Sequence, residues 1–366
     1  MPKLQASLVA AAALAGYAPL ADAQASLPRD STARVERLTD GVYAIIHDDA
    51  TDQWPHGNSG VVVYDDGVLV VDATYLPSRA RADIALIRRL TDRPVRYLVN
   101  THWHMDHTHG NQAYRDAFPG VIILTERQTR EFSELNTRYW SRYSTAPDSP
   151  RRQALRALEA EVARGTDSTG KAHTAEETRR LETVIQQRRG ELEELAGVRV
   201  VVADQVFEGA TTLWLGARRV ELVDHGRANS PHDVTVYLPK ERILFTGDIL
   251  VQSPVPYTGA SWPVPWIEVL ADLERLPVAA LVPGHGPVLR DHDYTRRVRE
   301  LLEAVTSRVR ELALQGRPVE WIQDSLRLDD IRRRVPAWTG AEHDEDWNYI
   351  VRTVIERAWR GVRGQG

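Results

Sequence analysis

The sequence predicts a layered α/β fold in which amphipathic helices pack on β-sheet. Three observations carry this. Short apolar runs of strand length recur along the chain. They alternate with a segment of helical periodicity between residues 42 and 124. A block of helical spacing then separates them from a second set of strands. Alternating strand and helix patterns lead to helices layered on a sheet, because each element must bury its apolar face against another.

The elements follow in order. Val42 to Ile46 is the first run. Val61-Val62-Val63-Tyr64 and Val68-Leu69-Val70-Val71 flank Asp65-Asp66-Gly67, a hairpin turn signal, and Asp72 closes the second of them. Ser78 stands where an N-cap would open a helix running to Leu90, with Ala80, Ile84, Ile87 and Leu90 at helical spacing. Tyr97-Leu98-Val99 reads as a buried strand and Val121 to Leu124 as the next.

From about Glu126 to Ala196 the pattern is helical. Ser149-Pro150 forms an N-cap and first-turn pair, followed by Leu155, Leu158 and Val162 on one face. Thr174 and Glu177 make a capping-box pattern ahead of Leu181, Val184, Ile185, Leu192 and Leu195. An antiparallel helical pair inserted in the α/β domain is expected, serving as a packed hairpin, a cap over a site or a homo-oligomer contact. Strands resume at Val198–Val202, Thr212–Leu215, Val220–Val223, Val234–Leu238 and Ile243–Phe245. Leu281-Val282 leads into Pro283-Gly284-His285-Gly286, and a helix carries Val298, Leu301, Leu302, Val305, Val309 and Leu312. Residues 313–366, with Trp347, Ile350, Val354 and Ala358, read as a helical C-terminal extension to a main domain of residues 26–312.

The chain has 366 residues, 42% of them apolar, and a net charge of −5. That balance argues against a nucleic-acid partner, which needs a basic face. There is no cysteine, so thiolate ligands and disulfides are excluded and any metal must be held by nitrogen and oxygen. Lys3, an apolar run over residues 4–20 and the small-x-small triplets Ala21-Asp22-Ala23 and Ala23-Gln24-Ala25 read as a secretory leader over residues 1–25. A periplasmic or secreted protein with no stable membrane span is the expectation.

Thr101-His102-Trp103-His104-Met105-Asp106-His107 is the most informative stretch. Three imidazoles and a carboxylate fall within six positions just past a strand, and these are ligands for zinc and related divalent ions. His102 and His104, two apart on extended chain, can point the same way. Asp106 and His107, beyond a bend, can serve a second ion.

This segment resembles the HxHxDH motif of the metallo-β-lactamase fold superfamily, a resemblance that runs from about Val42 to His285 around the helical insertion. It implies an αββα sandwich with Zn2+, one ion or two, at one edge. Asp72 matches the family's strand-end aspartate, which supports the ligands. Asp248, in Phe245-Thr246-Gly247-Asp248, matches the aspartate that bridges two metals about 3.5–4 Å apart. His285 matches the last histidine ligand. The second site, Asp106, His107, Asp248 and His285, would tolerate iron or manganese as well as zinc.

One position departs from that pattern. In Gly226-Arg227-Ala228-Asn229-Ser230-Pro231-His232-Asp233 the alignment puts Asn229 where the family places a histidine. Either His232 or His225 could swing in to replace it; otherwise the first site is labile, or Asn229 holds a water or substrate. The resemblance implies metal-dependent hydrolysis: a bound ion lowers the pKa of water from about 15.7 toward 7, and the resulting hydroxide attacks a carbonyl-type small-molecule substrate. Asp106 would orient the nucleophile and relay a proton. Trp54, Tyr257 and Trp262 are candidates for the substrate pocket wall. Opening of a β-lactam or lactone ring leads the specific expectations. A thioesterase or glyoxalase-like hydrolase, or a non-catalytic binding module with a degraded first site, are the alternatives.

Overall fold

The structure, a computed structural model, describes residues 33–48, 56–252, 256–340 and 343–364. The leader read over residues 1–25 and the pocket candidate Trp54 lie outside the described residues.

Two sheets form the centre. The first contains β1 (Ala33–Thr39), β2 (Val42–His47), β3 (Ser59–Tyr64), β4 (Gly67–Val71), β5 (Val95–Val99), β6 (Ile122–Glu126) and β7 (Gln205–Phe207), in that spatial order. Pairing is antiparallel through β4 and parallel from β4 to β7. The second sheet runs β12-β11-β10-β9-β8, from β8 (Ala210–Leu215), β9 (Arg218–Asp224), β10 (Val234–Leu238), β11 (Ile243–Val251) and β12 (Ala280–His285). Only β11 and β12 pair in parallel within it.

Strand side chains alternate between faces, and this builds the layers. Val42, Ala44 and Ile46 of β2, with Val62, Leu69 and Val71, meet Val236, Phe245 and Val282 of the second sheet in one buried cluster. Their sequence neighbours Ile45, Val61, Val63, Val68 and Val70 face the other way. There they pack on α1 (Pro77–Leu90) and α3 (Asn111–Ala117), the latter following the short α2 (Met105–Thr108). On the far side Leu244 and Leu281 pack against α7 (Pro263–Leu273) and α8 (Asp293–Leu314). The result is an αββα sandwich. The C-terminal helices α9 (Val319–Ser325), α10 (Asp329–Arg332) and α11 (Asp344–Val362) join that outer layer, where Trp338, Trp347 and Ile350 share one apolar cluster with α8. Among the described residues no helix is long and apolar enough to cross a membrane.

The insertion holds three helices, not the expected pair: α4 (Arg127–Thr145) precedes α5 (Pro150–Arg164) and α6 (Ala175–Ala196). Ser149 caps α5 by accepting from the Arg152 N–H, and the Thr174–Glu177 capping box is formed. Leu155, Ile185 and Leu192 make a small core between α5 and α6. Leu195, near the end of α6, packs with Tyr75, Leu76 and Met105 under the histidine-rich loop.

Two further expectations are not met. Ser78 is not the N-cap of α1; Leu76 occupies that place, and the backbone N–H and hydroxyl of Ser78 both donate to the Glu194 carboxylate of α6. Val198–Val202 is not a strand. Its backbone is held by side chains, Arg199 N–H donating to Gln112 Oε1 at 2.7 Å and Val201 O accepting from Asn111 Nδ2 at 3.1 Å. Trp262, named above for the pocket wall, is the N-cap of α7, which opens at Pro263 and buries Trp266.

Candidate metal centre

The donors come from chain ends of both sheets. Residues after β5 supply His102 and His104, and α2 supplies Asp106 and His107. Asp248 lies within β11 and His285 ends β12. One nitrogen or oxygen from each of Asp106, His107, Asp248 and His285 falls within 4.8 Å of the others, and His102, His104 and Asp248 form an adjoining group by the same measure. Asp106 Oδ2 is 3.0 Å from His285 Nε2, and Asp248 Oδ1 is 3.2 Å from His107 Nε2. Asp248 Oδ2 is 3.4 Å from His102 Nε2 and 3.7 Å from His104 Nδ1, so this carboxylate faces both groups.

Hydrogen bonds behind the donors set which ring nitrogen carries a proton. A carboxylate only accepts, so His107 Nδ1, 2.9 Å from Asp72 Oδ2, is the protonated nitrogen. Thr101 Oγ1 donates its only proton to Asp72 at 2.8 Å and so accepts from His102 Nδ1 at 3.0 Å. Both imidazoles therefore present a bare Nε2 to the centre, as metal-binding histidines do when their other nitrogen is held. Asp72 does this from a left-handed backbone conformation, φ 61°, a strain that clusters at functional sites. Thr101 is the residue the sequence reading passed over; its place directly before the first histidine was the available signal.

Close approach is built in by glycines. A Cβ at Gly284 would collide with Asp248 Oδ1, one at Gly247 with Thr101 Oγ1, and one at Gly57 with His107 and the Asp106 carbonyl.

The charges fit a divalent cation. Burial disfavours ionised Asp106 and Asp248, yet the His107 and His285 imidazoles beside them hold both carboxyls below their usual range. Burial likewise opposes charge on His107 and His285, and the surrounding carboxylates reverse that and raise both. The Nε2 atoms of His107 and His285 stand 3.2 Å apart, with the Asp106 and Asp248 carboxylates against them. Paired negative charge of this kind suits a divalent ion. Asp248 Oδ1 is buried and accepts no hydrogen bond among the described residues, which leaves its lone pairs directed into the cage. His102 differs: burial first, then His107, lower its pKa to about 4, so it is neutral and ready to ligate.

The first-site candidates separate. His232 does not turn to His102 and His104; its Nδ1 faces Asp224 Oδ2 at 3.1 Å and Glu126 at 3.7 Å. That trio could also hold an ion by spacing, but Glu126 already accepts the Thr129 N–H and Asp224 that of Gly226. The His232 Nδ1 on the Asp224 carboxylate completes it as a hydrogen-bonded cluster. His225 Nε2 lies 2.9 Å from Thr235 Oγ1. Asn229 is fully buried, and its Nδ2 donates to the Tyr257 carbonyl at 2.6 Å. Tyr257 meets His104 edge-on at 5.7 Å between ring centroids. Trp262 packs under the Arg227 guanidinium, 5.2 Å from its ring, and is not brought to the donors. Trp103 lies 4.8 Å from the His104 ring and 6.0 Å from that of Phe132, a contact with α4 that the sequence did not disclose. A cavity of about 360 Å³ opens beside His285 and is lined also by Arg34, His47 and His56.

Known proteins bear on this arrangement. The family model of the metallo-β-lactamase superfamily matches residues 52–306. The linear primary-alkylsulfatase of Pseudomonas sp. is 21% identical over 276 residues, covering 74% of this chain and 48% of that protein. The chain therefore spans about half the length of that curated relative. The solved stereoselective inverting sec-alkylsulfatase Pisa1 from Pseudomonas sp. superposes with a TM-score of 0.61 at 16% identity, covering 90% of this chain and 50% of that one. The metallo-β-lactamase FIM-1 from Pseudomonas aeruginosa, in its mono-zinc form, gives 0.52 at 16% identity, covering 76% and 97%. These structural likenesses are likenesses of fold. The family match spans well over half the sequence, and the chain belongs to the metallo-β-lactamase superfamily.

Proposed function

We propose that the chain is a metal-dependent hydrolase of a small ester or ring amide whose unreactive part is apolar, with alkyl sulfates as the first substrate class. The observation that carries this is the buried cage of Asp106, His107, Asp248 and His285, with its unsatisfied Asp248 oxygen. These four residues would hold a divalent ion, with His102 and His104 beside them. Such an ion supplies Lewis-acid polarisation of the substrate and a lowered pKa for water.

The chain's own residues do the rest. Asp106, ionised and buried, would orient the attacking water and pass its proton to the leaving group. Asp72 and Thr101 hold the imidazoles in the tautomers that the ion requires. Trp103, Phe132 and Tyr257 supply apolar surface beside His104, suited to an alkyl or aryl portion. The similarity to the linear primary-alkylsulfatase supports the sulfate class. A second reading, lactone ring opening, is favoured by the carboxylate at Asp248, and β-lactam opening would draw on the same donor set.

A hydrolysis panel of alkyl sulfates, β-lactams, lactones, thioesters and phosphoesters, with and without chelator, tests the proposal. Turnover of a sulfate ester that chelator abolishes and added zinc or manganese restores is expected. Chelator-insensitive turnover would remove the metal, and no turnover with any class would favour a non-catalytic binding module.

A further inference from the structure

We infer that the centre holds one divalent ion tightly, in the cage of Asp106, His107, Asp248 and His285, and that Asn229 is what makes the adjoining group of His102 and His104 a weak second site. The inference rests on the metal-dependent reading above and fixes its stoichiometry.

The two groups are unequal. The cage has four donors, and the neighbour has three, one of which is Asp248, borrowed from the cage. Asn229 cannot make up the difference. Its amide orientation is settled by chemistry, since only the NH2 can face the Tyr257 carbonyl at 2.6 Å. Oδ1 is thus turned from that carbonyl and is buried without a hydrogen bond among the described residues. It is a neutral oxygen, a poorer partner for zinc than imidazole and unable to offset cationic charge. Both histidines that could substitute are engaged elsewhere, His232 with Asp224 at 3.1 Å and His225 with Thr235 at 2.9 Å.

Charge follows the same asymmetry. Asp106 and Asp248 are the carboxylates among the donors; both belong to the cage, and the neighbour has only a share in Asp248.

The test is zinc titration of the chelator-stripped full chain by calorimetry, with bound metal counted after dialysis against set free concentrations. One ion is expected to bind at least about 100-fold more tightly than the second, the upper end of what loss of even a supporting partner costs a metal ligand. His102→Ala should remove the weak ion and leave the tight one. Asn229→His should bring the second to within about tenfold of the first; Asn229→Asp, nearly isosteric and anionic, carries the same expectation should the histidine variant not fold. Two ions of matching affinity in the wild type, loss of the tight ion in His102→Ala, or a weak site unmoved in both Asn229 variants would overturn the inference. No bound ion at all would instead overturn the metal-dependent reading beneath it.

Discussion

Asp72 accepts the Nδ1 proton of His107 at 2.9 Å, through the same oxygen that receives the Thr101 hydroxyl. One carboxylate thereby sets the tautomers of two imidazoles. Asp72→Asn keeps the shape but removes the charge, and its amide can turn an N–H toward His107, favouring the wrong tautomer. Metal affinity should fall about 10–100-fold, read by competition with a chelating dye. Unchanged affinity would strip Asp72 of this role.

Asp106→Asn should leave the melting temperature within a few degrees and lower turnover at saturating metal by about 100-fold or more. The carboxylate is buried between His107 and His285, both of which favour its ionised form, and the amide offers neither charge nor a proton acceptor of comparable strength. Turnover near wild type would move the proton-relay role elsewhere.

Gly284→Ala places a methyl group against Asp248 Oδ1 and the backbone at Gly247–Asp248. Overpacking of this kind costs about 1–3 kcal/mol, and here it displaces a donor. The variant should retain its far-ultraviolet circular dichroism, unfold at lower denaturant and bind zinc at least about tenfold more weakly. Full affinity with reduced stability would mean that Asp248 adapts.

His56 links stability to acid. Burial first, then His47 and Arg79, lowers its pKa from 6.5 to about 2. A depressed histidine contributes stability above its unfolded pKa and loses it as pH falls below 6.5 toward 2. The slope approaches about 1.4 kcal/mol per pH unit for one such group. Urea midpoints at pH 7 and pH 5 should differ less in His56→Phe than in the wild type; equal differences would refute the linkage.

Much of this was legible in the sequence where the signal is local. The hairpin Asp65-Asp66, the Ser149 cap and the Thr174–Glu177 box depend on residues within a few positions, and all are formed. The histidine-rich loop announced itself by density. What escaped depends on distant partners. Ser78 looked like a cap, but its partner Glu194 lies 116 residues away. Val198–Val202 has strand composition, yet Asn111 and Gln112 take its backbone groups. No spacing rule could tell that Tyr257 would reach His104 while Trp262 would not, because that depends on how the Asn229 amide grips the Tyr257 carbonyl.

Each sheet is drawn from a continuous stretch of chain, the first from β1 to β7 and the second from β8 to β12. The cage takes Asp106 and His107 from one stretch and Asp248 and His285 from the other. It is, in effect, an interface between two half-proteins, and neither half owns a site. Affinity for the ion then reports how well the halves are docked, and the ion in turn stabilises the docked state by mass action. A substitution deep in the seam, among Ile46, Leu69, Phe245 and Val282, can therefore loosen the ion without touching a ligand.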